Sequence, residues 1–399
     1  MEDLMNKKRL GIASAAIVAA VAISGFVAPA QAAGSNLVIW TDSDRAKGLK
    51  EASAAWAAKN GVTLTVVVKD FGKVRDEMIT AGPKGLGPDI LIAPHDWVGG
   101  LAASGALERV SLTNRSAFPR TALDGFTYRG ILYGIPYNVE NIALVYNTKL
   151  VSSAPKTLAE MESTWATLKA AGTAKVGIDV QTGNPYMNTP LFTALGGYVF
   201  GGKANHPNPR NVGLYSAKFA KNASKIDKWF ASGFLNKNSD WTYTNFYAGK
   251  APYAIMGPWN LEDLHKSGMA SSYAIAGVPG GYPWIGANGF MVSKYAPNKF
   301  LAKSYIANVV TDVTFQYTLY KSTLKMPALL AAAAKVDNQD LLAMSAYRDS
   351  SGAMPMWNIP QMASVWTDWG NAWQTVADGK STAAAAFKLA AANVKKLVS

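Results

Sequence analysis

Four short segments, far apart in the chain, hold residues suited to one kind of chemistry. They are Trp40-Thr41-Asp42-Ser43-Asp44-Arg45, His95-Asp96-Trp97-Val98-Gly99-Gly100, Met256-Gly257-Pro258-Trp259-Asn260 and Asn358-Ile359-Pro360-Gln361-Met362. The first three carry a carboxylate, an aromatic ring or both, and the fourth leads directly to Trp366. Carboxylates and amides hydrogen-bond to hydroxyl groups, and flat rings cover C–H faces. A sugar ring presents both surfaces. Asp44, Asp96 and Glu140 also admit two other readings. Paired carboxylates at the right separation are the acid and base of a glycoside hydrolase, and an isolated Asp near a helix start is ordinarily a cap.

The elements around these residues alternate between strand and helix. Leu37–Trp40, Val62–Val68 and Asp89–Ala93 are apolar strand runs. Leu49, Ala52 and Trp56 mark one face of a helix that Gly61 ends. Such alternation predicts a mostly parallel sheet with helices on its faces. Ligands of such sheets lie outside the carboxyl ends of the strands, where Asp42, Asp44, Arg45, Asp96 and Trp97 fall. Ile135–Glu140 and Ile142–Tyr146 are extended and lead into a second α/β unit from about residue 141. There Thr157-Leu158-Ala159-Glu160 reads as a capping box. Val176–Val180 and Tyr253–Met256 are its strands, and Ala217–Ser232 is a helix closed by Gly233. Gly289–Ser293 returns to strand character, and the chain from Asn298 is almost wholly helical. Trp366, Trp369 and Trp373 recur at helical spacing, so part of that stripe is core.

Composition narrows the classes. A chain of 399 residues with 49% hydrophobic and 11% aromatic residues is globular and long enough for two lobes. Lys7, Lys8 and Arg9, the apolar run Gly11 to Val27 and Ala30-Gln31-Ala32 form an export signal with a cleavage site after Ala32. The absence of cysteine excludes disulfides, thiolate metal sites, cysteine nucleophiles and lipid attachment at a cysteine. His95, His206 and His265 are too scattered for a metal cluster. Removal of the leader, which carries one net positive charge, takes the formal charge from +13 to +12. The lysines are dispersed rather than interleaved with aromatics on one element, which speaks against nucleic-acid binding. Lys218, Lys221, Lys225 and Lys228 read as the solvated face of one helix.

The four segments, in this order, resemble the maltose/maltodextrin-binding proteins, the extracellular solute receptors of ATP-driven sugar importers. The resemblance runs from about Leu37 to the C-terminus, and Met256–Trp259 and Asn358–Met362 are its most specific parts. It implies a two-lobed α/β periplasmic-binding-protein fold with the ligand cleft between the lobes. Residues 33–140 and 288–326 then form the N-terminal lobe, 141–287 and 327–399 the C-terminal lobe, after a 1–32 signal peptide. By position at strand ends together with the resemblance, Asp44, Arg45, Asp96, Trp97 and Glu140 are ligand contacts of the first lobe. The resemblance makes Tyr186, Trp259 and Trp366 those of the second, leaving Trp369 and Trp373 as packing. It departs from the enteric maltose receptors at Ala93 and Met187, where they carry aromatics, and at Trp97, where they carry arginine. The expected ligand is maltose or a maltodextrin, with another oligosaccharide as the close variant. The expected partner is the membrane part of an ABC importer. No cofactor, metal or catalysis is expected, and the receptor is read as a monomer.

Overall fold

The computed structural model describes residues 35–203, 206–237 and 242–399, so the leader expected at 1–32 lies outside the described residues. Eleven strands build two sheets: β1 (Ser35–Thr41), β2 (Val62–Val68), β3 (Ile90–Pro94), β4 (Gly134–Glu140), β5 (Ala143–Asn147), β6 (Ile178–Asp179), β7 (Tyr253–Met256), β8 (Tyr273–Ala276), β9 (Trp284–Val292), β10 (Met326–Pro327) and β11 (Met354–Pro355). The larger sheet has the order β10-β4-β9-β3-β1-β2, with β11 paired to the start of β9. The smaller has the order β8-β5-β7-β6. All residues of β3, β4 and β9 are buried, as expected of strands covered on both faces.

β1, β2 and β3 are parallel, while β9 runs antiparallel to both β3 and β4. β4 therefore points the same way as β3, and Glu140 ends up on the edge that carries Asp44 and Asp96. The sequence places the returning strand at Gly289–Ser293, but it begins earlier, at Trp284. Gly286, Ala287, Asn288 and Gly289 have weak strand propensity, and pairing on both sides holds them extended. The register between β4 and β9 shifts at Asn288/Gly289 and leaves Tyr137 as the extra residue of a bulge, a device that re-aims neighbouring side chains.

Each sheet has its own core. Phe290, Tyr305 and Phe315 pack edge to face or tilted in the first. Phe192, Phe219, Phe387, Trp369 and Trp373 form the second. The helices Met362–Ala377 and Ala383–Val398 lie against each other over this second core. Thr157 caps its helix by accepting from Glu160 N at 3.0 Å, but the Glu160 carboxylate accepts from Lys156 N rather than closing the box on Thr157. Ala223 separates two helices, Ala217–Asn222 and Ser224–Ser232, where one was expected. Lys225 reaches Glu162, so the lysine set is not purely solvated. Val176–Val180 reduces to Ile178–Asp179, and β8 and the hairpin Phe200–Lys203/His206–Val212 were not foreseen.

The Asn358 segment is tied to the first lobe by the Asn358 amide, which donates to the carbonyls of Gly125 at 2.7 Å and Thr127 at 2.8 Å. Gly99 makes this possible, because a Cβ there would lie 1.9 Å from the Asn358 carbonyl oxygen. Trp369 and Trp373 are fully buried, whereas Trp366 is only partly so. Trp369→Ala and Trp373→Ala should each lose about 3–5 kcal/mol of stability through cavity formation. Trp366→Ala should lose clearly less. Urea unfolding of the three variants checks this, and an equal loss for Trp366→Ala would place it in the core instead.

Candidate ligand-binding site

Asp42 ends the turn after β1 and caps the short helix Ser43–Ala46, its carboxylate accepting from Asp44 N and Arg45 N at 3.0 and 3.1 Å. The capping role considered for an acidic residue here therefore falls to Asp42. Asp44 and Arg45 follow it on the same short helix. The Arg45 guanidinium donates to Asp42 and, through Nε, to Asn288 Oδ1 at 2.9 Å. Burial alone would raise the Asp42 pKa, but the charge and hydrogen bonds of Arg45 outweigh it and hold the carboxyl below its ordinary range.

Glu140 sits between two neighbours on the sheet. Gly286 lies opposite it on β9, and the antiparallel register of β10 puts Lys325 opposite it on the other side. A Cβ on Gly286 would approach Glu140 Cγ at 3.0 Å and the Tyr186 hydroxyl at 3.3 Å, so glycine is what lets the tyrosine of the second lobe reach this floor. Asn138 Nδ2 donates to Glu140 Oε2 at 3.0 Å, and Asn138 Oδ1 accepts from Asn288 N at 3.0 Å. Lys325 is buried; its ammonium donates to Asp44 and lies 4.0 Å from Glu140. Leu324, held at a φ of +51°, turns the helix Val313–Thr323 into β10 and delivers that lysine.

Lys325, Asn138 and Asn288 were not among the residues singled out from the sequence. A lysine after a helix carries no local signal of burial, and only the register of β10 brings it beside Glu140.

His95 is buried against β9 and β11. Its Nδ1 lies 3.1 Å from Ala287 N and 3.2 Å from the Ala287 carbonyl oxygen, and its Nε2 lies 3.0 Å from the Met356 carbonyl oxygen. Burial lowers its pKa. This pins the β3 end and presents Asp96, whose Oδ2 accepts from Trp366 Nε1 at 2.9 Å. Burial raises the Asp96 pKa, against the opposing pull of His95 and the Trp366 N–H. Trp97 is buried beside it.

On the second lobe, Tyr186 has ring centroids 6.2 Å from Trp259 and 6.4 Å from Trp366. Trp366 is stacked at 14° on Trp369 and edge-on to Trp284. The Tyr186 hydroxyl is buried and has no hydrogen-bond partner among the described residues. Burial, then the charge of Glu140, raises its pKa well above the ordinary value, so it stays a protonated donor. The two lobes thus meet at Trp366–Asp96 and around Tyr186–Glu140. At the rim, Lys47 and Glu262 pair at 2.8 Å, and hydrogen bonds from Lys266 and Lys47 bring the exposed Glu262 down to about 2.

Of the eight residues expected at the site, the structure brings Trp366 to Asp96 and Tyr186 to Glu140 between the lobes, with Asp44 beside Lys325, Arg45 beside Asn288, Trp97 beside Phe71 and Trp259 beside Tyr186 within their own lobes. Among the described residues, no group of three or more His, Asp or Glu side chains is placed to hold a metal ion, and no helix is long and apolar enough to cross a membrane. Charged and amide groups on one wall and aromatic rings on the other can bind a neutral polyhydroxylated molecule. The acidic groups Asp42, Asp44, Asp96 and Glu140 outnumber Arg45 and Lys325, which disfavours an anionic one.

These features define a two-lobed α/β fold whose lobes meet at Trp366–Asp96 and Tyr186–Glu140. The family model for bacterial extracellular solute-binding proteins matches residues 51–346, and the chain belongs to that family. It is 30% identical over 380 residues to the galactooligosaccharide-binding protein of Bacillus subtilis (strain 168), covering 91% of this chain and 89% of the relative. It is 28% identical over 385 residues to the maltodextrin-binding protein MdxE of the same organism, covering 91% of each chain. A maltooligosaccharide ABC transporter solute-binding lipoprotein of Streptococcus pneumoniae serotype 4 is 26% identical over 416 residues, 98% of this chain and 96% of the relative.

The raised pKa of Asp96 has a defined sign. Its folded-state value lies above the unfolded one, so its contribution to stability is present below the unfolded pKa of about 3.9. It is lost as pH rises through the folded value. Asp96→Asn, which can still accept from Trp366, should melt at a higher temperature than the parent at pH 7–8. That advantage should shrink on acidification to about pH 4, the ordinary carboxylate value. Thermal melts of both proteins across this range check it. A variant less stable at pH 7–8 would mean that the ionised carboxylate stabilises the fold.

Proposed function

We propose that this protein is the exported receptor of an ABC sugar importer, closing on a maltodextrin-type oligosaccharide and presenting it to the membrane subunits. The observation that carries the reading is the Trp366–Asp96 bond between the lobes, with Tyr186 set among Trp259, Trp366 and Glu140. The rings would cover C–H faces while the carboxylates and Tyr186 exchange hydrogen bonds with hydroxyls. A ligand touching both walls favours the closed arrangement, which is the state an importer can recognise. Catalysis has no part in this. In this reading the lobes divide near 33–140 with 284–332 and 141–283 with 333–399, moved from the expected 288 and 326 because β9 and β10 pair in the first sheet and Ala328, Leu329 and Ala332 pack in its core. The protein acts as a monomer outside the inner membrane, with residues 1–32 removed, and without a cysteine it carries no cysteine-linked lipid.

A galactooligosaccharide is the second candidate, favoured by the name of the relative at 30% identity. Titration of tryptophan fluorescence with maltose, maltotriose, longer maltodextrins and galactooligosaccharides separates the two. For the best ligand, Trp259→Ala and Trp366→Ala should each weaken binding about tenfold or more, roughly 1.4 kcal/mol per factor of ten. Trp373→Ala, whose ring packs on Phe387 in the second core, should leave the affinity of the folded fraction nearly intact. New reducing ends on prolonged incubation would point to a hydrolase instead, and binding to none of these sugars would remove the reading.

A further inference from the structure

The turn after β2 displays a ring that the site described above does not use. Phe71 stands in the segment Asp70–Lys73, closed by the Asp70 carbonyl accepting from Lys73 N at 3.1 Å and Val74 N at 2.9 Å. β2 is parallel to β1, so this turn leaves the sheet on the same edge as Asp44. The Phe71 side chain is 47% exposed. Exposure alone says little, since Phe300 is 85% exposed on the helix Lys299–Tyr305. What sets Phe71 apart is its surroundings. Its ring centroid lies 5.0 Å from that of Trp97 at a tilt of 36°, and the Arg45 guanidinium carbon lies 4.9 Å over it. Arg75, from the helix Val74–Ala81, lies 5.8 Å over the Trp97 ring. Phe71 is thus continuous with two cleft residues, Arg45 and Trp97, and bordered by two guanidinium groups.

A second ring on a fixed turn, half open and flanked by N–H donors, matches one pyranose unit. The C–H face of the sugar would cover the apolar area, and its hydroxyls would accept from the guanidinium groups. We propose that Phe71, with Trp97, forms an additional subsite on the rim of the first lobe that takes one further pyranose unit of the oligosaccharide. It thereby sets how strongly the receptor favours longer ligands. This rests on the oligosaccharide reading above. It adds a length-determining contact outside the central aromatic group of Tyr186, Trp259 and Trp366.

The test is isothermal titration of the whole exported chain with a di-, tri- and tetrasaccharide of whichever series, malto- or galacto-, the parent binds. The parent should bind the longer sugars more tightly. In Phe71→Ala the ratio of tetrasaccharide to disaccharide affinity should fall at least fivefold toward one, and Phe71→Tyr should keep it. Because the ring is exposed, both variants should fold, which a melt verifies before titration. A Phe71→Ala variant with the parent's ratio overturns the proposal. So does one weakened equally at every length, which would make Phe71 a support for Arg45. A parent that binds without regard to length also overturns it while leaving the receptor reading intact. A parent that binds no sugar removes the receptor reading itself.

Discussion

The cleft depends on one strand. β9 enters the first sheet between β3 and β4 after more than a hundred residues in the second lobe, and successive residues of it touch each part of the site. Gly286 makes room between Glu140 and Tyr186, Ala287 holds the His95 ring, and Asn288 accepts from Arg45. Its first residue, Trp284, packs edge-on to Trp366 and Trp369 of the second lobe. Antiparallel pairing on both sides fixes these positions, since a slip of one residue would turn every side chain to the opposite face. The bulge at Tyr137 is part of the same constraint, because it sets which residues of β4 share a face with Glu140.

Around that strand the charges are arranged as a linked set rather than as separate pairs. Asp42 is occupied by the helix start and by Arg45, Arg45 by Asn288, and Asp44 by Lys325. Glu140 holds one hydrogen bond, from Asn138, and has Lys325 at its other side. Buried ions are tolerated where partners and hydrogen bonds compensate for lost hydration. Here the cations balance part of the acidic charge and leave carboxylate lone pairs for hydroxyl donors. Asp96 is the exception, since burial disfavours its charge and the Trp366 N–H is its contact from the opposite lobe.

The aromatic residues divide by depth. Trp369 and Trp373 give the last long helix its hold on the second core, and Trp366, one turn toward the cleft, uses Trp369 as its backing. A ring supported in this way has little conformational freedom left to lose. Contacts between the lobes include Trp366 with Asp96, Tyr186 near Glu140, His95 with the Met356 carbonyl, Lys47 with Glu262, and the Asn358 amide with the carbonyls near Gly125. The Lys47–Glu262 pair is solvent-exposed, and such pairs add little.

Local pattern was enough to read much of this protein. The β-branched runs of β1 and β2, the Gly233 cap, the strand-end position of Asp44 and Asp96, and the helical tryptophan stripe are properties of neighbours in sequence. Short-range periodicity and the resemblance in four segments reported them. The early part of β9, the shortness of β6, the bonding of Asp42 as a cap, and the placement of Lys325, Asn138 and Asn288 were different. Each depends on which strands become neighbours and in what register, and residues such as Gly286, Asn288 and Lys325 have no local propensity that marks a buried role. The same holds for Phe71, an unremarked residue in a polar turn until β1 and β2 align it with Arg45 and Trp97. Sequence determined the chemistry available and the elements that carry it. Only the tertiary structure decided which groups are buried together, because burial and pairing are set by contacts between segments remote along the chain.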